Sequence, residues 1–397
     1  MLTVLRLNYS MHRISVAVVA GAALVLILLT PRPAHAYAWM IRHGYPGCAQ
    51  CHFDPSGGGL LNDFGLGAAG DLLASHYGSG EPTDAKPFFG LWTNPSWLLA
   101  GGSFRDMLLF MKPDGASFSS QNVLMQADLR AGVSAGHLRA AGSLGVITND
   151  NSPASVAGNL VAREYWAGWA FANDTVLVRA GRMNLPYGLR VIEHTLFVRV
   201  ATRTDLNDTQ QHGLSVAARG GGFRGELMGI AGNYQASPDA FRERGYSGYV
   251  EYAPVSRWAF GVSSLLTHAA DDVFLRAATT RQAHGLMLRG SPTEAVAILG
   301  EADLTVLSPS GAPTWTGVAT MLQADLEPWQ GLHFIGTGET WATGQPGAGT
   351  SWSGWASVDW FFIKHFDGRF DYVHSSLVQG PMRIPVDSFL LQIHVFL

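Results

Sequence analysis

From Ser96 to the C-terminus, apolar and polar residues alternate in segments of roughly ten residues, separated by polar or glycine-rich connections. In an extended strand successive side chains point to opposite faces, so this period-two pattern predicts strands with one apolar and one polar face. Trp97 to Phe110, Val123 to Val133 and His137 to Ile147 are the first three. Val161 to Trp169 reads as another, and Thr175 to Gly181 sets Val176, Val178 and Ala180 on one face against Leu177 and Arg179 on the other.

The connections alternate in length. Short ones fall at Ser134 to Gly136, Ala172 to Asp174, Gly220 to Gly222, Pro254 to Ser256, Ser291 to Thr293, Glu327 to Gly331 and Lys364 to Phe366. Longer ones fall at Lys112 to Ser120, Thr148 to Asn159, Met183 to Gln211, Asn233 to Arg244, Thr267 to Arg281, Leu307 to Pro313, Thr343 to Ser351 and Ser375 to Pro385. Seven short turns and eight long loops join sixteen strands, the alternation of an antiparallel transmembrane β-barrel with short periplasmic turns and long extracellular loops. The last segment, Val386 to Leu397, alternates throughout and resembles the terminal strand of such barrels, with Leu397 where a final Phe is more usual. A propeller would require a repeat of ~40 to 50 residues, and none is visible.

Before the strands, Arg6, His12 and Arg13 precede an apolar run from Ile14 to Leu29, and Ala34-His35-Ala36 follows it. A basic start, a short apolar core and a small-residue end predict an export leader over residues 1–36, with the mature chain beginning at Tyr37. No later run reaches the ~18 apolar residues of a membrane-spanning helix. Composition agrees with an exported barrel: 47 Gly, 12 Trp and 20 Phe accompany 14% charged residues, against an average near ~25%. A net charge of -4 gives no reason to expect a nucleic-acid partner, whereas outer-membrane lipid is an expected one.

The two cysteines are three positions apart, and a histidine follows at once: Cys48-Ala49-Gln50-Cys51-His52. This is the Cys-x-x-Cys-His signature of c-type haem attachment, with both thiols on one porphyrin edge and the adjacent imidazole as proximal iron ligand. A thioredoxin-like pair normally lies in a βαβ setting, which Phe53-Asp54-Pro55-Ser56-Gly57-Gly58-Gly59 does not suggest. A zinc site would need a second ligand pair, which no further cysteine supplies. Residues 37–95 are therefore expected to be a monohaem c-type segment and 96–397 the barrel. For the distal position, His43 is the first candidate, with Met40, His76 and the amine of Tyr37 as alternatives; a five-coordinate iron is also compatible. So short a segment needs its cofactor or a larger partner surface to hold its fold.

A leader, one Cys-x-x-Cys-His site near the mature N-terminus and a porin-sized barrel together resemble the fused outer-membrane cytochrome-porin family associated with iron oxidation. Its members tend to have an aromatic residue before the first cysteine, matched by Tyr45. They also carry a Leu-x-x-Phe-Gly-Arg stretch after the haem histidine, matched by Leu61, Phe64 and Gly65. Leu66 stands where that family has Arg, and Gly57-Gly58-Gly59 lengthens the spacing. The resemblance implies a haem-bearing plug, in the lumen or on the periplasmic side. It would pass electrons between an extracellular donor, foremost Fe(II), and a periplasmic c-type cytochrome or other carrier.

The longest loop, the third, offers Arg182, Arg190, Glu193, His194, Arg199 and Arg203 for a constriction. Oxygen and imidazole donors for ferrous iron are available at Asp205 and Asp208 on this loop, and at His268, Asp271 and Asp272 on the fifth. Two other functions fit the same sequence: a passive solute porin with an accessory haem domain, and an electron conduit to extracellular acceptors.

Overall fold

The structure is a computed structural model that describes residues 38–75, 94–146, 155–157, 160–206, 209–234, 238–380 and 382–397. Residues 1–36, expected to be an export leader, and Tyr37, His76 and Asp208 lie outside these residues.

Among the described residues eighteen strands form one sheet. In chain order they are β1 (Leu98–Pro113), β2 (Ser119–Ala135), β3 (Leu138–Val146), β4 (Ser155–Ala157), β5 (Leu160–Val161), β6 (Tyr165–Phe171), β7 (Val176–Met183), β8 (Gln211–Gly220) and β9 (Phe223–Gly232). There follow β10 (Glu243–Val255), β11 (Trp258–Ala269), β12 (Thr279–Thr293), β13 (Val296–Pro309), β14 (Trp315–Trp329), β15 (Leu332–Ala342), β16 (Thr350–Ile363), β17 (Phe366–Gln379) and β18 (Met382–Phe396). The short hairpin β4–β5 only extends the edge beyond β3, which pairs directly with β6, so the wall has sixteen staves. Closure is between the first and last strands, from Ser103 opposite Phe396 to Pro113 opposite Val386. Every neighbouring pair is antiparallel, and a closed wall leaves no unpaired edge for lipid to meet.

The alternation is inverted relative to a water-soluble protein. On β14 Val318, Leu322 and Leu326 face outward, whereas Gln323 and Asp325 are buried beside Ala319 and Met321. Leu322 is 60% exposed and Leu286 65%, so the outer belt offers apolar surface where a soluble fold would bury it. Stacked or edge-to-face aromatic pairs such as Phe223–Tyr252, Trp258–Phe260 and Trp360–Phe362 mark the short-turn rim. An apolar belt with aromatic rims and a polar interior is the pattern of a barrel that spans an outer membrane.

Three expectations need correction. Val161 to Trp169 is not one strand: Ala162 to Glu164 leave the sheet, and the Ser143 hydroxyl takes the Glu164 amide at 2.9 Å while Arg163 turns inward to Asp128. Ser375 to Pro385 is not a long loop, because β17 and β18 run on to Gln379 opposite Met382. The turn read at Ser291 to Thr293 lies after Thr293, since Pro292 occupies a register shift within β12 and β13. Pro254 and Pro328 sit at equivalent shifts, where a missing amide breaks no ladder bond.

The lumen is filled by two insertions. Residues 38–75 enter from the short-turn end as two 3₁₀ turns, Ala38–His43 and Cys48–Gln50, followed by a π turn, Gly65–Ala69, and α1 (Gly70–Leu73). Their far end is tied to the short-turn rim, where the Gln330 side-chain amide donates to the carbonyls of Asp71 (2.8 Å) and Ala74 (2.9 Å), and the Ser75 amide donates to the Phe361 carbonyl at 2.8 Å. The third loop, 184–210, enters from the other end and carries α2 (Phe197–Thr202), which packs on β13, β14 and β15.

Candidate functional site

Cys48, Cys51 and His52 lie on one tight turn, closed by bonds from the Cys51 and His52 amides to the Cys48 carbonyl at 3.3 and 3.1 Å. Both cysteines are buried, and no disulfide joins them. Asn62 folds the chain back over the turn: its amide donates to the Cys51 carbonyl at 2.8 Å and its side chain to the Gln50 carbonyl at 2.7 Å. The Asn62 carboxamide oxygen then accepts from the Gly65 amide at 2.9 Å. Tyr45 and Phe64 meet edge-to-face at 5.9 Å. The aromatic before the motif and the Phe-Gly after it thus form one clamp around the cysteines.

Gly57, Gly58 and Gly59 all have positive φ, which L side chains rarely adopt. At Gly57 (φ +95) a Cβ would stand 2.7 Å from the Cys48 Cβ, so the chain passes the thiol at a distance only glycine permits.

The turn is anchored to the wall by charge. Asp54 caps Ser56 (2.8 Å) and pairs with Arg179 of β7 (3.0 Å), which also pairs with Glu226 (2.8 Å) and lies 4.9 Å over the Trp166 ring. Burial pushes the Asp54 carboxyl up, but the guanidiniums of Arg179 and Arg190 more than offset this and leave it below the usual carboxylate range. Phe53 stacks on Trp166 at 5.5 Å. Further round, Arg42 is held by Asp325 and by Glu327 (3.1 Å), and Trp39 packs against His333 and Phe361.

Burial lowers the His52 pKa to about 4, with Asp54 opposing and Arg130 adding, so the imidazole is neutral at pH 7 and fit to ligate a metal. His52 borders a cavity of about 630 Å³ that opens at the short-turn end, lined also by Ala49, Phe53, Leu177, Ala217 and Tyr249. It also borders a smaller cavity of about 160 Å³ on the other side of the segment, and Cys48 faces that one. Two thiols on one turn and a neutral imidazole that borders a cavity of ligand size suit a covalently held haem c, which these three residues would hold; the imidazole lines the larger cavity, Cys48 the smaller, and neither thiol the larger.

Of the distal candidates, His43 lies against Glu327 at 3.7 Å, and Met40 is buried among apolar side chains. Neither borders the larger cavity.

The third loop does narrow the lumen. Glu193 pairs with Arg369 (2.7 Å), Arg199 with Glu301, and the Leu189 amide donates to Glu301 at 2.9 Å. Arg190 donates to the Ser56 hydroxyl at 3.0 Å, so loop and segment touch. His194 is also held neutral, its pKa lowered to about 4 by burial and by Arg105 and Arg163. Arg182 instead ends β7 and donates to the Tyr234 carbonyl (2.7 Å), while Arg203 pairs with Asp272 (2.7 Å). Asp272 also accepts the amides of Phe274 and Leu275, which explains it structurally, and His268 bonds Thr280. Asp205 borders the smaller cavity, and Asp271 lies beside Asp272. Among the described residues no group of three or more His, Cys, Asp or Glu side chains could hold a metal ion.

The sequence reading missed the anchors Asp54 and Arg179. Their signal was present but ambiguous, since any porin-type strand carries arginines on its inner face.

No family model and no curated protein sequence matches the chain. Its fold is similar to solved outer-membrane barrels. OmpT of Vibrio cholerae (the loop L8 deletion mutant) matches with a TM-score of 0.58 and 11% identity, over 76% of this chain and 99% of that one. The anion-selective porin from Comamonas acidovorans gives 0.58 and 12% over 76% and 99%, and the outer-membrane channel DcaP of Acinetobacter baumannii 0.56 and 10% over 77% and 99%. The protein therefore has the fold of a porin-like outer-membrane barrel.

Proposed function

We propose that this barrel carries one haem c on Cys48 and Cys51, with His52 as proximal ligand, and serves as an electron conduit through the outer membrane. The observation that carries this reading is the position of the Cys-x-x-Cys-His turn, lodged inside the lumen between the third loop and the short-turn rim. When bound there, the haem supplies one-electron exchange. The chain's own part is to hold a neutral imidazole, keep both thiols on one turn and surround the site with a low-dielectric wall. Fe(II) is the first donor to test, because a lumen-held site reaches an external reductant that need not cross the membrane. A periplasmic c-type cytochrome is the matching acceptor at the short-turn mouth. Reverse flow, to extracellular acceptors, uses the same path.

A second reading, a passive solute porin with an accessory haem segment, is the one the structural likenesses favour, since their names include porins and a channel. Conductance and spectroscopy on one preparation separate the two. A conduit shows little ion conductance in planar bilayers and a haem spectrum that Fe(II) reduces. Porin-sized steps with a haem that excess Fe(II) leaves oxidised from acidic to neutral pH would sink the conduit. A preparation without covalent haem, or a Cys48→Ser/Cys51→Ser variant with unchanged pigment, would sink the attachment itself.

A further inference from the structure

The lumen pairs most of its guanidiniums. Arg163 meets Asp128, Arg179 meets Asp54 and Glu226, Arg199 meets Glu301, and Arg289 and Arg224 share Glu251. Arg281 meets Glu243, and Arg369 meets Glu193 and Asp371. Burying a guanidinium without a counter-charge is costly, which accounts for the rule. Arg105 of β1 breaks it. It faces the lumen and makes no hydrogen bond or ion pair among the described residues.

Arg105 borders the 160 Å³ cavity on the Cys48 side of the segment, where Arg130, Arg163 and Arg190 converge with it. Arg190 bonds to Ser56 and to the Leu185 carbonyl, and the same Ser56 hydroxyl links it to the Asp54 carboxylate. Asp128 pairs with both Arg130 (3.2 Å) and Arg163, and the cavity lining contains the carboxylates Glu164 and Asp205, so Arg105 is the cation of this wall without a carboxylate of its own. The side chains of Asn184, Gln126 and Gln210 border the same space. At ~30 Å³ per water the volume takes about five waters, which is room for a small oxyanion with part of its hydration shell and too little for a macrocycle.

We infer that this cavity is a binding site for a small oxyanion of phosphate or sulfate type. Arg105 supplies the unpaired guanidinium, and Arg190, Arg130 and Arg163 complete the wall. Planar guanidinium forks match the oxygens of such an ion, and the enclosed lumen strengthens each charge-assisted bond relative to water. The inference does not rest on the haem, because it uses residues of the wall and third loop.

The test is calorimetric titration of the full exported chain in detergent with inorganic phosphate. Saturable binding is expected, weakened about tenfold or more by Arg105→Gln and kept within a few-fold by Arg105→Lys. Arg139→Gln, at the short-turn rim and paired with Asp174, should leave it unchanged. Heat-modifiable migration on gels checks that each barrel is folded; if Arg105→Gln does not assemble, Arg105→Ala and the Lys variant carry the comparison. No saturable heat from the parent protein, or equal affinity in all Arg105 variants, overturns the inference. So does binding that arises only in the Cys48→Ser/Cys51→Ser variant, which would assign the cavity to the carboxylates of the haem.

Discussion

Replacing Arg179 with Met removes the charge that seats the N-terminal segment while nearly keeping the side-chain volume. Arg179, Asp54 and Glu226 are each no more than 1% exposed, so the change leaves two carboxylates uncompensated inside the wall. Breaking a buried pair by deleting one partner costs about 3–5 kcal/mol. Glu226 loses its partner whether the segment is in place or not, so only the Asp54 share counts against seating. With Arg190 nearby to offset part of it, about 3 kcal/mol is the fair figure, or roughly a hundredfold in the population of the released state. Asp54→Asn is the contrasting change. It weakens the same contact but strands no charge, so it should cost about 1 kcal/mol, and Asp54→Asn added to Arg179→Met should recover most of the loss. Hydrogen exchange read by mass spectrometry on peptides spanning 48–62 measures this directly, with wall peptides from β12 to β17 as internal reference. Equal protection in Arg179→Met and Asp54→Asn, or protection unaltered in both, would refute the idea that this ion pair seats the segment.

Other changes follow from the same geometry. Gly57→Ala places a Cβ against Cys48 at a positive φ, so under the proposed haem attachment covalent haem per barrel should fall several-fold with the barrel intact, measured as haem stain against protein. In the Cys48→Ser/Cys51→Ser variant His52 has a folded pKa near 4 and an unfolded value of 6.5, so its contribution is complete above pH 6.5 and is lost as pH falls toward 4. Asp54, also depressed, extends the loss below the usual carboxylate range, and exchange of peptides 48–62 should quicken across this window and not above it. Leu322→Arg on the outer face should cost about 2–4 kcal/mol of barrel stability if it lies near the midplane, seen as a lower urea midpoint in vesicles; Gln323→Leu on the inner face should leave vesicle insertion unchanged.

The barrel was legible because its signal is repeated: sixteen alternating staves and paired turn lengths correct one another even where a boundary is off. The errors fell where one residue type carries two meanings. Pro292 reads as a turn but sits in a bulge, and Arg163-Glu164 continues the alternation while the backbone leaves the sheet. The Cys-x-x-Cys-His turn was legible because its spacing is local. What anchors it was not, since Asp54 meets Arg179 across 125 positions of sequence, and nothing local marks Arg179 out from other lumen-facing arginines. His43 stood out by nearness to the motif, yet the chain turns between them and carries it to Glu327.

The segment's dependence on the wall argues that the two form a single unit. With only short turns of regular structure, residues 38–75 leave several main-chain carbonyls for the barrel to satisfy. Arg130 donates to the Gly59 carbonyl (2.8 Å), Arg190 to that of Ser56 (3.2 Å), Arg289 to that of Pro46, and Gln330 to two carbonyls at the rim. In an open channel these side chains would face water and passing solutes. Here they are committed to main-chain oxygens of the segment. Arginines aimed at fixed carbonyls stabilise one seated position, and a freely hanging domain would leave those donors without acceptors.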